Sequence, residues 1–226
     1  MKKQILALLA IQVGIIAVNQ SVMAQAVLAV PAVTEAEKEA FYATTIENRT
    51  LDILKALSLA DPAKSNAVHD AIVAQYHALR VRDAGIDTQL KVDGKEISYA
   101  NRAPLLAIQS KSLHDQFIAK LTESLTPEQV EQVKDLMTYR KVKVTYDAYC
   151  MIISGLTDTE KAKIMELLKA AREEAIDGGS APEKSAIFQK YKDQINSYLD
   201  TQGHDTAKAL KEWSSAHPNT NNSVAR

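Results

Sequence analysis

Five tyrosines fall in the second half of the sequence: Tyr139, Tyr146, Tyr149, Tyr191 and Tyr198. A tyrosine offers a flat apolar face and a hydroxyl. A sugar offers an apolar C–H face rimmed by hydroxyls. Ring stacking combined with hydrogen bonding therefore makes glycan binding one chemistry these residues suit. The other reading of the same residues is a set of core aromatics whose hydroxyls reach the surface.

The remaining reactive residue types point to no reaction. His69, His77, His114, His204 and His217 form no HExxH or similar metal spacing. His69 and His77 share a helix face but have no third ligand at matching spacing, so no metal site is expected. Glu166, Glu173, Glu174 and Asp177 are interleaved with Lys163, Lys169 and Arg172, which reads as a solvated helix face with ion pairs one turn apart. Cys150, the only cysteine, lies among Tyr149, Met151, Ile152 and Ile153 and is expected to be a small buried apolar residue. No P-loop, GxSxG or GxGxxG is present, so neither catalysis nor a cofactor is expected. Lys and Arg total 27 against 28 Asp and Glu. That balance excludes a dedicated nucleic-acid binder, which needs a basic surplus.

The elements that position these residues are helical. Thr34 and Glu37 form a capping-box pattern, followed by Tyr42, Ile46, Ile53 and Leu57 at helical spacing. Asp61-Pro62 starts a second helix with Val68, Ile72, Tyr76 and Leu79 on one face, expected to end before Gly85. "TQLKVDGKEISY" alternates around Asp93-Gly94 and predicts a β-hairpin insert over 88–100. A helix follows Asn101 with Leu105, Ile108, Phe117 and Leu121 as its stripe. "LTPEQVEQVKDLM" and "LTDTEKAKIMELL" repeat one start signal: a leucine, an N-cap threonine and an acidic first turn. Either internal duplication or efficient capping of unrelated helices produces that pattern. "RKVKV" reads as an extended connector, with Thr145 capping the next short helix. The helix from Thr157 stops at Asp177-Gly178-Gly179, and "SAPE" opens the next, which Gly203 ends. Asp205 to Trp213 adds a short docking helix. The fold class is all-α, a compact domain of six or seven helices over 34–215 with the hairpin insert, and a disordered tail over 216–226.

Residues 1–24 form a signal peptide: Lys2 and Lys3, the apolar "ILALLAIQVGIIAV", and small residues at Val22 and Ala24. Cleavage after Ala24 leaves a lead-in over 25–33 and a secreted or periplasmic protein with no stable membrane anchor. A retained anchor is the alternative, but Gln12 interrupts an apolar run already short for a span.

Several stretches together resemble one family. "LDILKALSLADPAKSNAVHDAIVAQYHAL", "LTPEQVEQVKDLMTYRKVKVTYDAY", "LTDTEKAKIMELLKAAREEAIDGGS" and "FQKYKDQINSYLDTQGHD" are similar to the secreted bacterial family catalogued as domain of unknown function thirty-eight twenty-six, which is described as sugar-binding. The resemblance spans roughly Phe41 to Trp213. It implies an all-helical secreted domain without established catalysis, associated with carbohydrate. Tyr139, Tyr146, Tyr149, Lys190, Tyr191, Lys192, Asn196 and Tyr198 match its pattern and are the implied sugar-binding residues, the lysines serving as donors to hydroxyls or uronic-acid carboxylates. Arg140 and Lys143 stand where the family tends to have glycine and proline, Ser185 and Ile187 replace a histidine and a tryptophan, and Asp193-Gln194 replaces a Gly-Arg pair. A partner of a different class is a periplasmic client, if the repeated LT..E/Q starts mark a helical adaptor or stress chaperone. A tyrosine-lined polar cleft favours the glycan; an apolar concave surface favours the adaptor.

Overall fold

The computed structural model describes residues 34–90 and 98–217. Among them every regular element is a helix: α1 (Glu35–Leu57), α2 (Pro62–Gln89), α3 (Tyr99–Thr122), α4 (Pro127–Met137), α5 (Lys141–Ile152), α6 (Asp158–Ala175), α7 (Ala181–Thr201) and α8 (Thr206–Ala216). The all-α class holds, with eight described helices rather than six or seven. The signal peptide, the lead-in and residues 218–226 lie outside the described residues; of the tail expected over 216–226, Ala216 is instead the last residue of α8 and His217 its C-cap.

The starts are set by the residues that sequence patterning picks out. Thr34, Thr126 and Thr157 each close a capping box, with Glu37, Gln129 and Glu160 reaching back to the cap N–H. Asp61 accepts from the N–H groups of Ala63 and Lys64. Leu125 and Leu156, just before two of the caps, are buried. Each fixes the angle at which its helix enters the core.

Two hydrophobic clusters result. The first joins α1, α2, the second half of α3, and α4, with Ile46, Ile72, Phe117, Leu121 and Val133 at its centre. The second joins α5, α6 and α7 around Val142, Ile164, Leu168, Phe188, Ile195 and Leu199. Ion pairs link the halves: Arg172 of α6 donates to Asp135 at 2.6 Å and to Glu131, both on α4. Lys134 donates to Glu173 at 2.8 Å. Helix α8 packs on α5 and α7.

The structure departs from the sequence-based expectations at several places. The expected hairpin does not form as placed: Thr88 and Gln89 belong to α2, Tyr99 and Ala100 to α3, and residues 91–97 lie outside the described residues. Helix α2 does not stop before Gly85. Buried Ile86, one turn after buried Arg82, extends its inward face past that glycine, and tertiary burial outweighs a glycine penalty of about 1 kcal/mol. Helix α3 begins at Tyr99, and its inward face is not the Leu105/Ile108 stripe. Leu106 is buried and Ile108 is 76% exposed. The true face runs Leu106, Ser110, His114, Phe117, Leu121, with polar residues in the middle because Ser110 accepts from Arg82 and His114 meets Asp177.

A further departure is the Tyr139–Tyr149 segment. "RKVKV" is no extended connector and Thr145 is no cap: α5 is already helical from Lys141. The chain turns instead at Tyr139 and Arg140, both left-handed at φ 57° and 56°. Arg140 N–H donates to the Asp135 carbonyl at 2.7 Å, closing the end of α4. A left-handed non-glycine residue costs about 1–2 kcal/mol. Arg140→Gly is therefore expected to stabilise the fold by about 0.5–1 kcal/mol after the extra unfolded-state entropy is subtracted. Urea denaturation checks it, and a lower midpoint for the glycine variant would refute the strain account. Cys150 is exposed, not buried. The inward stripe of α5 is Val142, Tyr146, Tyr149 and Ile153, and Cys150 lies off it.

Candidate functional site

Helices α5, α7 and α8 enclose a cavity of about 590 Å³. That is within the usual size of small-ligand sites. Helix α5 contributes Lys141, Val144, Thr145 and Tyr149. Helix α7 contributes Phe188, Gln189, Lys192 and Asn196, and α8 contributes Leu210 and Trp213. Phe188, Lys192 and Asn196 recur every four residues, so one face of α7 presents an aromatic, a cation and an amide in a row.

The local geometry follows from the helix faces. Tyr149 packs against the second hydrophobic cluster. Its hydroxyl donates to Asn196 Oδ1 at 2.7 Å, and the Lys192 carbonyl lies at 3.2 Å. Burial pushes the Tyr149 hydroxyl well above the usual phenol range, with the Asp193 charge adding to it, so the tyrosine stays a neutral donor. With Asn196 Oδ1 engaged, the amide N–H groups are the part of that side chain left to bind a ligand. The Trp213 ring stacks on His217 at 4.8 Å between centroids. Burial lowers the pKa of Lys192. Burial and the neighbouring Lys192 charge lower that of Lys141.

A second cleft of about 480 Å³ lies between α3, α6 and α7. Its polar groups are largely bound to one another. Glu174 accepts from Tyr99 at 2.9 Å, from Tyr191 at 3.0 Å and from Lys190. His114 sits between Asp177 at 2.9 Å and Glu173 at 3.2 Å, and these two carboxylates raise its pKa to about 9. Glu183 accepts from Gly179 N–H through Oε2, and its buried Oε1 has no hydrogen-bond partner among the described residues. Burial raises the pKa of Glu183, and the Asp83 charge adds to the effect.

The eight residues implied by the resemblance thus divide. Tyr149, Lys192 and Asn196 meet in the α5/α7/α8 cavity. Lys190 lines the second cleft, its ammonium 4.8 Å from the Tyr191 ring centroid. Tyr139 is 42% exposed and lies under the Arg49 guanidinium of α1 at 5.8 Å. Tyr146, in contact with Cys150, and Tyr198 pack against the second core cluster and line neither cavity. Sequence reasoning missed Lys141, Phe188, Gln189 and Trp213. The four-residue spacing of Phe188, Lys192 and Asn196 was a usable signal; the placement of α8 over α5 was not. Among the described residues no group of three His, Cys, Asp or Glu side chains could hold a metal ion. No described helix is long and apolar enough to cross a membrane.

No curated protein matches the sequence. A family model does, from residue 43 to residue 217, and so takes in all of α2 to α8 and with them both cavities. On that match the chain belongs to the family described as protein of unknown function (DUF3826).

Proposed function

We propose that the protein is a secreted or periplasmic domain that binds a glycan, without cleaving it, in the cavity between α5, α7 and α8. The observation that carries this reading is the Tyr149–Asn196 hydrogen bond beside Trp213. It places an aromatic face next to an amide whose N–H groups point to no other described partner, which is the pairing that a pyranose ring recognises. The absence of cleavage rests on the lining: no Asp, Glu, His or Cys borders this cavity among the described residues. A glycosidase requires two carboxylates across the bond it breaks. The adaptor reading calls for an apolar concave surface; Val144, Ile152 and Leu210 do give this cavity apolar wall, and it is Lys141, Lys192, Gln189 and Asn196 among them that favour the glycan. The secreted location rests on the leader sequence, and sequencing the exported protein is expected to read Gln25 first; an intact Met1 on membrane-bound protein would reject cleavage.

A glycan array followed by titration calorimetry tests the binding. Trp213→Ala removes a stacking surface from a half-buried position on the terminal helix. Loss of aromatic stacking costs about 0.5–1.5 kcal/mol, so affinity is expected to fall by roughly three- to tenfold with helicity unchanged. Equal affinity for the wild type and Trp213→Ala would move the site out of this cavity. No binding to any arrayed glycan at millimolar concentration would reject the function.

A further inference from the structure

We infer that the sugar taken by the α5/α7/α8 cavity is anionic, with a carboxylate or sulfate ester seated between Lys192 and Lys141 and the ring against Tyr149 and Trp213. This inference rests on the glycan reading above and specifies its substrate class.

The argument starts from charge. The protein as a whole is balanced, at net −1. The cavity wall is not: Lys141 and Lys192 border it, and no carboxylate does among the described residues. Many lysines elsewhere on this surface find an acid within a turn or across a helix pair, as in Lys111–Asp115 at 2.7 Å, Lys143–Asp147 at 2.5 Å and Lys190–Glu174. Lys192 makes no ion pair among the described residues. Asp193, next to it in sequence, accepts from Gln189 at 2.8 Å instead.

Position reinforces this. Lys192 and Asn196 are one turn apart on α7, and Lys141 comes from the start of α5 on the opposite wall. Two ammonium groups from different helices face one enclosed space. Burial makes each harder to keep charged; repulsion from Lys192 adds to the effect at Lys141, and the Asp193 charge offsets it in part at Lys192. An anion between them removes that repulsion and replaces lost hydration with charge-assisted hydrogen bonds. A neutral sugar leaves the repulsion in place. Lysine, a compact point charge rather than a planar fork, suits either a carboxylate or a sulfate.

The test uses the mature full-length chain and matched oligosaccharides in calorimetry: oligogalacturonate and its methyl ester for the carboxylate, and a sulfated oligosaccharide and its desulfated form for the sulfate. Within at least one pair, the anionic member is expected to bind about tenfold more tightly. The pair that shows the preference identifies the anion. Lys192→Met and Lys141→Met should each remove most of that preference, read as the ratio of the two affinities within a pair. Lys192→Arg should restore it in part, and binding of the anionic member should weaken with added salt. Equal affinity within both pairs, or a preference that survives both methionine variants, overturns the anionic inference but leaves glycan binding standing. No binding by any of the four, together with an empty glycan array, overturns both.

Discussion

Gly179→Ala lowers the stability of the folded protein by about 3–5 kcal/mol, the range for breaking a buried ion pair from one side. The substitution adds one methyl group in the turn between α6 and α7. That methyl would lie 1.7 Å from Asp83 Oδ2 and 2.9 Å from Asp83 Cγ. Asp83 has to move, and it is not free to do so cheaply. Its Oδ1 accepts from the Arg82 guanidinium at 2.7 Å and lies 3.3 Å from that of Arg102. The Arg82 side chain is almost wholly buried. Displacing the carboxylate leaves Arg82 with Ser110 Oγ at 2.7 Å as its remaining acceptor. The same turn holds Glu183 through the Gly179 N–H at 3.0 Å, so the damage spreads to the start of α7, the helix that carries Lys192 and Asn196. Urea denaturation of the single and double variants decides the matter. In an Asp83→Ala background there is no carboxylate to displace, and Gly179→Ala is expected to add little. Additive losses would show that the glycine serves backbone conformation rather than this contact.

Much of the fold is legible from capping chemistry, because a cap is local. Thr34, Thr126 and Thr157 sit three residues before the glutamate or glutamine that completes each box. No distant contact is needed to read them. The misread places depend on distant contacts. "VKV" alternates over only three residues, a window too short to separate a period of 2 from one of 3.6. The segment is helical because Val142 and Tyr146 reach the core formed with α6 and α7. The inward face of α3 looks apolar at Leu105 and Ile108, but Arg82 draws Ser110 inward and Asp177 draws His114 inward instead. A polar core cannot be read from hydrophobic periodicity. The site follows the same rule. Tyr149, Lys192 and Asn196 lie in matched motifs, and the α7 spacing groups the last two. That Lys141 and Trp213 join them depends on how α8 packs on both α5 and α7.

The polar interior also sets how stability responds to pH, and His114, Glu173 and Lys184 make large contributions. Asp177 and Glu173 hold its folded pKa at about 9, against 6.5 for the free side chain. Protonation therefore stabilises the fold fully below pH 6.5, and that stabilisation is lost as pH rises through 9. Lys134 also binds Glu173 at 2.8 Å, and Gln75 binds Asp177 at 3.3 Å, so neither carboxylate depends on the histidine alone. On the acid side, Glu173 has its pKa depressed to about 2 by His114 first and then Lys134. Its contribution is present above pH 4.5 and lost as pH falls through 2. Lys184 opposes His114. Fully buried, with its ammonium donating to the Ala175 and Ile176 carbonyls at the end of α6, it has its pKa lowered by burial to about 8. The folded state releases that proton before the unfolded state does, so stability gains between about pH 8 and the free lysine value near 10.4. The profile expected from these three groups is a plateau from pH 4.5 to 6.5, a decline from 6.5 to 8, a flattening between 8 and 9, and a rise above 9. His114 is partly exposed, so the full linkage value is reduced by solvent screening to about 1–2 kcal/mol. Urea denaturation across pH 5 to 10 checks each part. His114→Gln should be less stable than wild type at pH 6 and converge with it by pH 9.5. Lys184→Met should abolish the flattening and let the decline continue. Profiles for the wild type and His114→Gln that run parallel from pH 6 to 9.5 would remove the histidine from this account.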